Sequence, residues 1–200
     1  MKHILVMPDS LKNSLSSIEV AQTIENTIKM CNPEALITSI PISDGGEGFV
    51  DCFLHASKGR KITIASVDPY YKPISASYAI MDEGYAVIEL ASCAGLHFTK
   101  DYPDPSITTT YGVGLLIKDA LDKGCKKIYL GIGGSATIDA GVGILEALGL
   151  RFLDDKKQPF SPTGHSLSAI STYCVNTLHP KINDASIIVF SDVTNKLTGE

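Results

Sequence analysis

The opening sixty residues alternate short apolar runs with helix-period segments, and that order leaves few architectures open to the chain. His3-Ile-Leu-Val-Met7 is a short apolar run closed by Pro8. After the polar loop Pro8–Ser16, the pair Ser16 and Glu19 forms a capping-box pattern, in which hydroxyl and carboxylate satisfy free amides at a helix start. Apolar residues then recur at Ile18, Ala21, Ile24, Ile28 and Cys31, one face of a helix closed by Pro33. A second apolar run, Leu36–Ile40, feeds the loop Pro41–Gly48. A second helix fits Phe49–Ala56, with Gly59 as its stop. Strand–loop–helix repeated twice requires crossover connections, so the strands pair in parallel and the fold class is α/β.

From residue 61 the pattern changes. Lys61–Val67 and Ile74–Ile80 alternate apolar and polar residues, Tyr85–Ala91 reads as another strand, and Met81–Tyr85 as the hairpin before it. The Pro-containing stretch Asp68–Pro73 marks an expected boundary, giving residues 1–67 and 68–200 as two units. A helix is expected over Val113–Leu121, a strand over Lys126–Leu130, a glycine-rich loop over Gly131–Asp139, a short helix over Gly141–Leu148 and a strand over Leu150–Leu153. The weakly patterned stretch 157–183 carries one helix near Ser166–Ile170. Ala185–Phe190 is a last apolar strand that leads into Ser191-Asp-Val-Thr-Asn195.

Composition narrows the function classes. Seventeen basic against 22 acidic residues give a net charge of −5, the wrong sign for a nucleic-acid surface. No apolar run approaches the roughly 18 residues of a membrane span, and the first apolar stretch is too short for a signal-peptide core. The five cysteines are scattered without a C-x-x-C pair, which fits a reducing cytoplasm with the thiols as buried small apolar residues.

Four polar loops each follow an expected strand, where ligands of parallel α/β sheets bind. Gly131-Ile-Gly-Gly-Ser-Ala-Thr137 offers close backbone approach to an anion, with Gly133 and Gly134 in the bend and the Ser135 and Thr137 hydroxyls as donors. It equally serves as a tight turn that needs glycine for its dihedrals. It is not a Walker loop, but Gly131, Gly133 and Ala136 match a dinucleotide fingerprint. Asp154 and Asp155 stand about where a ribose-binding acid is expected, roughly 20 residues on. A nicotinamide-dependent oxidoreductase is therefore one reading, and a cap on a turn is the other for those acids.

In Asp44-Gly-Gly-Glu-Gly48, two carboxylates among three glycines can hold hydrated magnesium or orient a hydroxyl nucleophile. They can also do no more than favour a helix start. Lys12, between Ser10 and Ser14, can neutralise phosphate, though such lysines are usually solvated. Asp192 ends an apolar strand, a common place for a metal-binding acid, and Asp139 reads as a helix cap. Thr108-Thr-Thr-Tyr-Gly-Val-Gly114 can bind a polar ligand or form an extended edge. The five histidines show no ligand spacing and read as structural or surface. One lysine, several acids, hydroxyls and clustered glycines together suit phosphoryl transfer, where positioning and charge neutralisation carry most of the catalysis.

Five of these stretches, in order and with matching spacing, resemble the signatures of the bacterial class I/II glycerate kinases. They are Pro8–Ser16, Ser43–Gly48, Thr108–Gly114, Gly131–Thr137 with Asp139, and Asp192–Asn195. The resemblance runs from residue 1 to 200. It implies ATP-dependent phosphorylation of D-glycerate with Mg²⁺, mostly to 2-phosphoglycerate. It implies a Rossmann-like parallel-sheet domain built from both chain ends and a second, inserted α/β domain. The site residues expected on this basis are Asp44, Asp192 and Lys12 for catalysis. Ser10, Gly45, Gly46, Thr109 and Thr110 are expected at the substrate, Gly133, Gly134, Ser135 and Thr137 at phosphate or nucleotide, and Asp192 and Glu47 at the metal. The partner is a small molecule, not nucleic acid or membrane, with a homodimer left open. Family members are much longer, so this chain reads as an N-terminal portion. Its first sixty residues are expected to carry an incomplete core and an exposed sheet edge, and a non-catalytic anion-binding fragment is a further reading.

Overall fold

A computed structural model describes residues 3–12 and 14–193. Strands β1 (His3–Val6) and β2 (Leu36–Ser39) pair in parallel through α1 (Ser17–Cys31), as the element order requires. The capping box forms as read: Ser16 Oγ accepts from the Glu19 amide at 3.3 Å while Glu19 Oε2 accepts from the Ser16 amide at 2.8 Å. The apolar stripe of α1 is only partly covered. Ala21 is buried and Ile18 and Ile28 are half-buried, but Ile24 and Cys31 are exposed. Leu5, Met7, Leu36, Ile40 and Ile42 of this two-stranded layer also face solvent.

The main body is a five-stranded mixed sheet in the order β10-β6-β5-β4-β3. It comprises β3 (Gly59–Val67), β4 (Pro73–Met81), β5 (Ala86–Glu89), β6 (Lys127–Gly131) and β10 (Ser186–Phe190). β5, β6 and β10 run parallel, and β3 and β4 add an antiparallel hairpin. The turn of that hairpin is the Asp68–Pro73 stretch. There one Asp68 carboxylate oxygen accepts from the amides of Tyr70 and Lys72, at 2.8 and 2.9 Å. β3 and α2 (Phe49–Ala56), both within residues 1–67, thus join a sheet whose other strands lie beyond residue 67.

Both faces of the sheet are covered at its centre, in β5 and β6, and the period-2 alternation of these strands shows how. Ala86 and Ile88 of β5, and Ile128 and Leu130 of β6, point into a core with α4 (Tyr111–Asp122), through Val113, Leu116, Ile117 and Leu121. Val87 and Tyr129 point the other way, onto Phe49, Val50 and Phe53 of α2. The short α3 (Ala91–Ala94) follows β5.

α5 (Val142–Ala147) packs on α4 through Gly114, where a Cβ would stand 2.6 Å from that of Ala147. Beyond α5 lies a small sheet in the order β8-β7-β9, formed by β7 (Arg151–Leu153), β8 (Pro159–Phe160) and β9 (Thr172–Cys174). The helix expected near Ser166–Ile170 is a 3₁₀ segment, Gly164–Ala169. Cys52, Cys93 and Cys125 are buried thiols as expected. Cys31 is exposed and Cys174 half-buried, because each sits on a thinly covered edge element.

Asp139 joins α4 to α5. The side chain is buried, and Oδ2 accepts from the Thr110 amide and hydroxyl, each at 2.8 Å, and from the Gly143 amide at 3.3 Å. Oδ1 accepts from the Gly141 amide at 3.1 Å. Amides at the starts of two helices thereby find one anionic acceptor. Asp139→Ala strands these donors in a buried place, and the expected loss is about 3 kcal/mol. That corresponds to roughly 6–12 °C in Tm, measurable by thermal denaturation, with Asp139→Asn in between.

Candidate functional site

The carboxyl ends of β5, β6 and β10 emerge on one side of the sheet, and the loops that follow them pack against one another. The loop after β6 is bonded on three sides. The Ile132 amide donates to the Phe190 carbonyl at 3.1 Å, at the end of β10. The Leu90 amide after β5 donates to the Gly131 carbonyl at 2.8 Å, and Gly133 donates to the Gly45 carbonyl at 3.0 Å. Further on, Leu96 donates to Gly134 and Ala136 to Ala94, both at 2.9 Å.

Glycines make the contact with the Asp44–Gly48 loop possible. A Cβ on Gly131 would lie 2.4 Å from the Gly45 carbonyl oxygen, and one on Gly133 2.6 Å from the Gly46 nitrogen. A Cβ on Gly45, at φ +93°, would lie 2.8 Å from the Phe190 carbonyl oxygen. Backbone approach this close tolerates no side chain.

Beside this contact opens a cleft of about 660 Å³. Of the residues expected from the sequence, Ser10, Lys12, Asp44, Gly46, Glu47 and Gly134 line it. Lys12 Nζ stands 4.0 Å from Asp44 Oδ2, a loose pair at an exposed mouth that contributes little to stability. Asp44 Oδ1 accepts from the Gly46 amide at 2.8 Å, which leaves its other oxygen toward Lys12. Gly45 and Gly133 sit beneath, in the glycine contact. The hydroxyls of Ser135 and Thr137 lie 3.0 Å from each other in a self-bonded turn outside the cleft wall. Asp192 is exposed, two residues past the Phe190 carbonyl that touches Gly45. Thr194 and Asn195 of the same motif lie outside the described residues.

Two sets of expectations are corrected. Thr109 and Thr110 are buried away from the cleft. Thr110 binds Asp139, and Thr109 Oγ1 accepts from the Tyr111 amide at 3.1 Å. The threonine–glycine motif builds the α4–α5 junction. The dinucleotide reading also fails. Asp154 ends β7, which belongs to the separate three-stranded sheet, whereas the sheet neighbours of β6 are β5 and β10. Asp154 Oδ1 accepts from the amides of Lys156 and Gln158, at 2.9 and 2.8 Å, and so caps its own turn.

Three residues of this region carry no role in the sequence reading. His97 and Lys100 line the cleft from the segment after α3; nothing in their spacing marks them. Glu89 ends β5, and its Oε2 accepts from the Gly48 amide at 3.1 Å. The strand expected over Tyr85–Ala91 encloses Glu89; in the structure β5 stops at Glu89, which makes it the acid that closes the strand. Burial pushes the Glu89 carboxyl up to about 7. The amides of Val50 and Gly48 pull it back, and the carboxylates of Asp51 and Glu47 push further up.

These features define an α/β protein with a polar cleft at the carboxyl ends of parallel strands. The glycerate kinase family model matches residues 4–200, and the chain belongs to that family. The glycerate kinase of Bacillus subtilis (strain 168) is 41% identical over 198 residues, covering 98% of this chain and 52% of the relative. The glycerate 2-kinase of Escherichia coli (strain K12) is 39% identical, again over 98% and 52%. The crystal structure of a candidate glycerate kinase 2 from Salmonella typhimurium LT2 matches with a TM-score of 0.85 at 37% identity, covering 98% of this chain and 53% of that one. The chain thus spans about half the length of the curated relatives it matches. No described helix is long and apolar enough to cross a membrane.

The Glu89 shift fixes a pH dependence. A carboxyl that holds its proton more tightly folded than unfolded makes the native state bind more protons between the two pKa values. Stability therefore falls as pH rises from 4.5 toward about 7, and the slope vanishes above that. The expected contribution is at most on the order of 3 kcal/mol. Denaturant titrations between pH 4.5 and 8 should show this slope in the wild type and its loss in Glu89→Gln.

Proposed function

We propose that the whole protein transfers the terminal phosphoryl group of ATP to the 2-hydroxyl of D-glycerate. One observation carries this reading: in a chain of the glycerate kinase family, Lys12, Asp44, Glu47 and Gly134 come from three loops far apart in sequence and line one cleft. Asp44 is the acid best placed to take the proton of the attacking hydroxyl. One of its oxygens is anchored by the Gly46 amide, so the other is presented in a set direction. Lys12 and Lys100 neutralise phosphate charge across the cleft, and Ser10 with the Gly46 backbone holds the hydroxy acid.

The donor chemistry also fits a magnesium ion brought in with the nucleotide. Among the described residues no three of His, Cys, Asp and Glu are grouped to hold a metal. Magnesium commonly takes one or two carboxylates and fills its remaining positions with phosphate oxygens and water. Glu47, exposed on the cleft wall, and Asp192 at the end of β10 are the carboxylates we assign to it. When bound, the ion would offset the charge of the triphosphate.

The test is ADP release by the intact protein with ATP, Mg²⁺ and D-glycerate. Turnover that depends on D-glycerate is expected, and a folded wild type that forms no ADP overturns the reading. Asp44→Asn is expected to lower kcat by about 10²- to 10⁴-fold, and Lys12→Ala to raise KM for ATP.

A further inference from the structure

α2 begins without a cap of its own. Gly48 precedes it in the left-handed region, at φ +88°, and offers no side chain to the free amides of the first turn. The acceptor comes instead from Glu89, 41 positions further along the chain, whose Oε2 receives the Gly48 amide at 3.1 Å. The Val50 amide faces the same carboxylate. Glu89 ends a central, buried strand. Ala86, Val87 and Ile88 before it are fully buried, and β5 is paired on both sides.

A side chain at position 48 could not replace this cap: at φ +88° any residue but glycine is strained, and an N-cap side chain reaches amides further into the first turn, not its own. Glu89 is a half-buried carboxyl with the carboxylates of Glu47 and Asp51 close by, and no Lys or Arg is within salt-bridge range of it among the described residues. What Glu89 adds over a local cap is a tie between the central strand and the loop that carries Asp44 and Glu47. The glycine contact fixes the middle of that loop at Gly45 and Gly46, and Glu89 fixes its end at Gly48.

We propose that Glu89 is a positioning residue: by capping α2 from β5 it holds Asp44 and Glu47 at the cleft wall in the geometry phosphoryl transfer requires. The proposal rests on the kinase reading of the cleft, so its test includes a readout that needs no turnover. The Gly46 amide, bonded to Asp44 Oδ1, reports the placement of Asp44 directly.

The experiment measures amide hydrogen exchange at Gly46, Gly48 and Val50 in the intact protein, beside steady-state kinetics with ATP and D-glycerate. Glu89→Ala is expected to speed exchange about tenfold at Gly48 and Val50 and to speed it at Gly46 as well. It should lower kcat by up to about 10²-fold, with KM for ATP changing far less. Glu89→Gln keeps an acceptor oxygen and should restore both readouts. A cap with a structural role alone would move Gly48, Val50 and Tm while leaving Gly46 exchange and kcat per folded molecule at wild-type values; that result overturns the proposal. If Glu89→Ala does not fold, Glu89→Asp, one methylene short of the amides, is measured instead, and wild-type behaviour there overturns it too. A wild type that forms no ADP refutes the substrate reading, while Gly46 exchange in the variants still decides the role of Glu89.

Discussion

The site depends on a contact between two backbones. Gly131 and Gly133, leaving β6, lie so close to Gly45 and Gly46 that a single methyl group on Gly131 would meet a carbonyl oxygen at 2.4 Å. The contact is also hydrogen-bonded, Gly133 to Gly45, and its outer flank is closed by the end of β10 through Ile132 and Phe190. Loops from residues near 45, 131 and 190 therefore share one rigid surface. Glycine has no rotamer to lose but loses more backbone freedom than any other residue, so this contact is ordered at an entropic cost that the surrounding hydrogen bonds and packing must offset.

Around that contact, carboxylates act as internal ties more often than as free charges. Asp139 collects four donors at the junction of α4 and α5, Asp68 folds the β3–β4 turn, and Asp154 folds the turn after β7. Each is satisfied by amides of nearby or helix-starting backbone, where a negative charge is favoured. Glu89 differs. Its donors come from a segment about 40 positions away rather than from its own turn, it has two acidic neighbours, and burial pushes its carboxyl up to about 7. A group held in that state next to a cleft is more informative than one fully compensated, because nothing in local turn formation accounts for it.

The fold was readable where local pattern and global packing agree. The capping box at Ser16 and the strand–helix order of the first sixty residues gave the parallel α/β class. The doubly buried run Ala86-Val87-Ile88 appeared as a plain apolar strand. The cleft was half readable: Lys12, Asp44 and Glu47 stand in loops after strands, and that rule found them. Hydroxyls beside glycines look alike whether they face a ligand or a second helix, and here the bonds of Thr110 to Asp139 and the packing of Gly114 on Ala147 tie the motif to α5. Asp154 misled because sequence distance carries no information about which sheet a strand joins. His97 and Lys100 reach the cleft through the folding of the segment after α3, which no periodicity announces. Glu89 was not legible, since the strand expected over Tyr85–Ala91 runs past it and only the structure ends β5 there.

Why the Asp44–Gly48 loop arrives at the strand ends at all is answered by α2. Phe49 and Phe53 form an aromatic cluster with Tyr129 of β6 and Phe190 of β10, with ring centroids 5.2 Å apart for Phe49–Phe190 and 5.7 Å for Phe53–Tyr129. That burial lays the helix across three parallel strands and supplies most of the adhesion. Apolar packing of this kind is not directional and would tolerate a slide of the helix along the sheet. The hydrogen bond from Gly48 to Glu89 and the Gly45–Gly133 contact are directional, and both act at the first residues of the helix or just before them. Adhesion and register thus come from different contacts of the same segment: aromatic rings hold α2 to the sheet, and a carboxylate with a pair of glycines decides where its start, and with it Asp44, comes to rest.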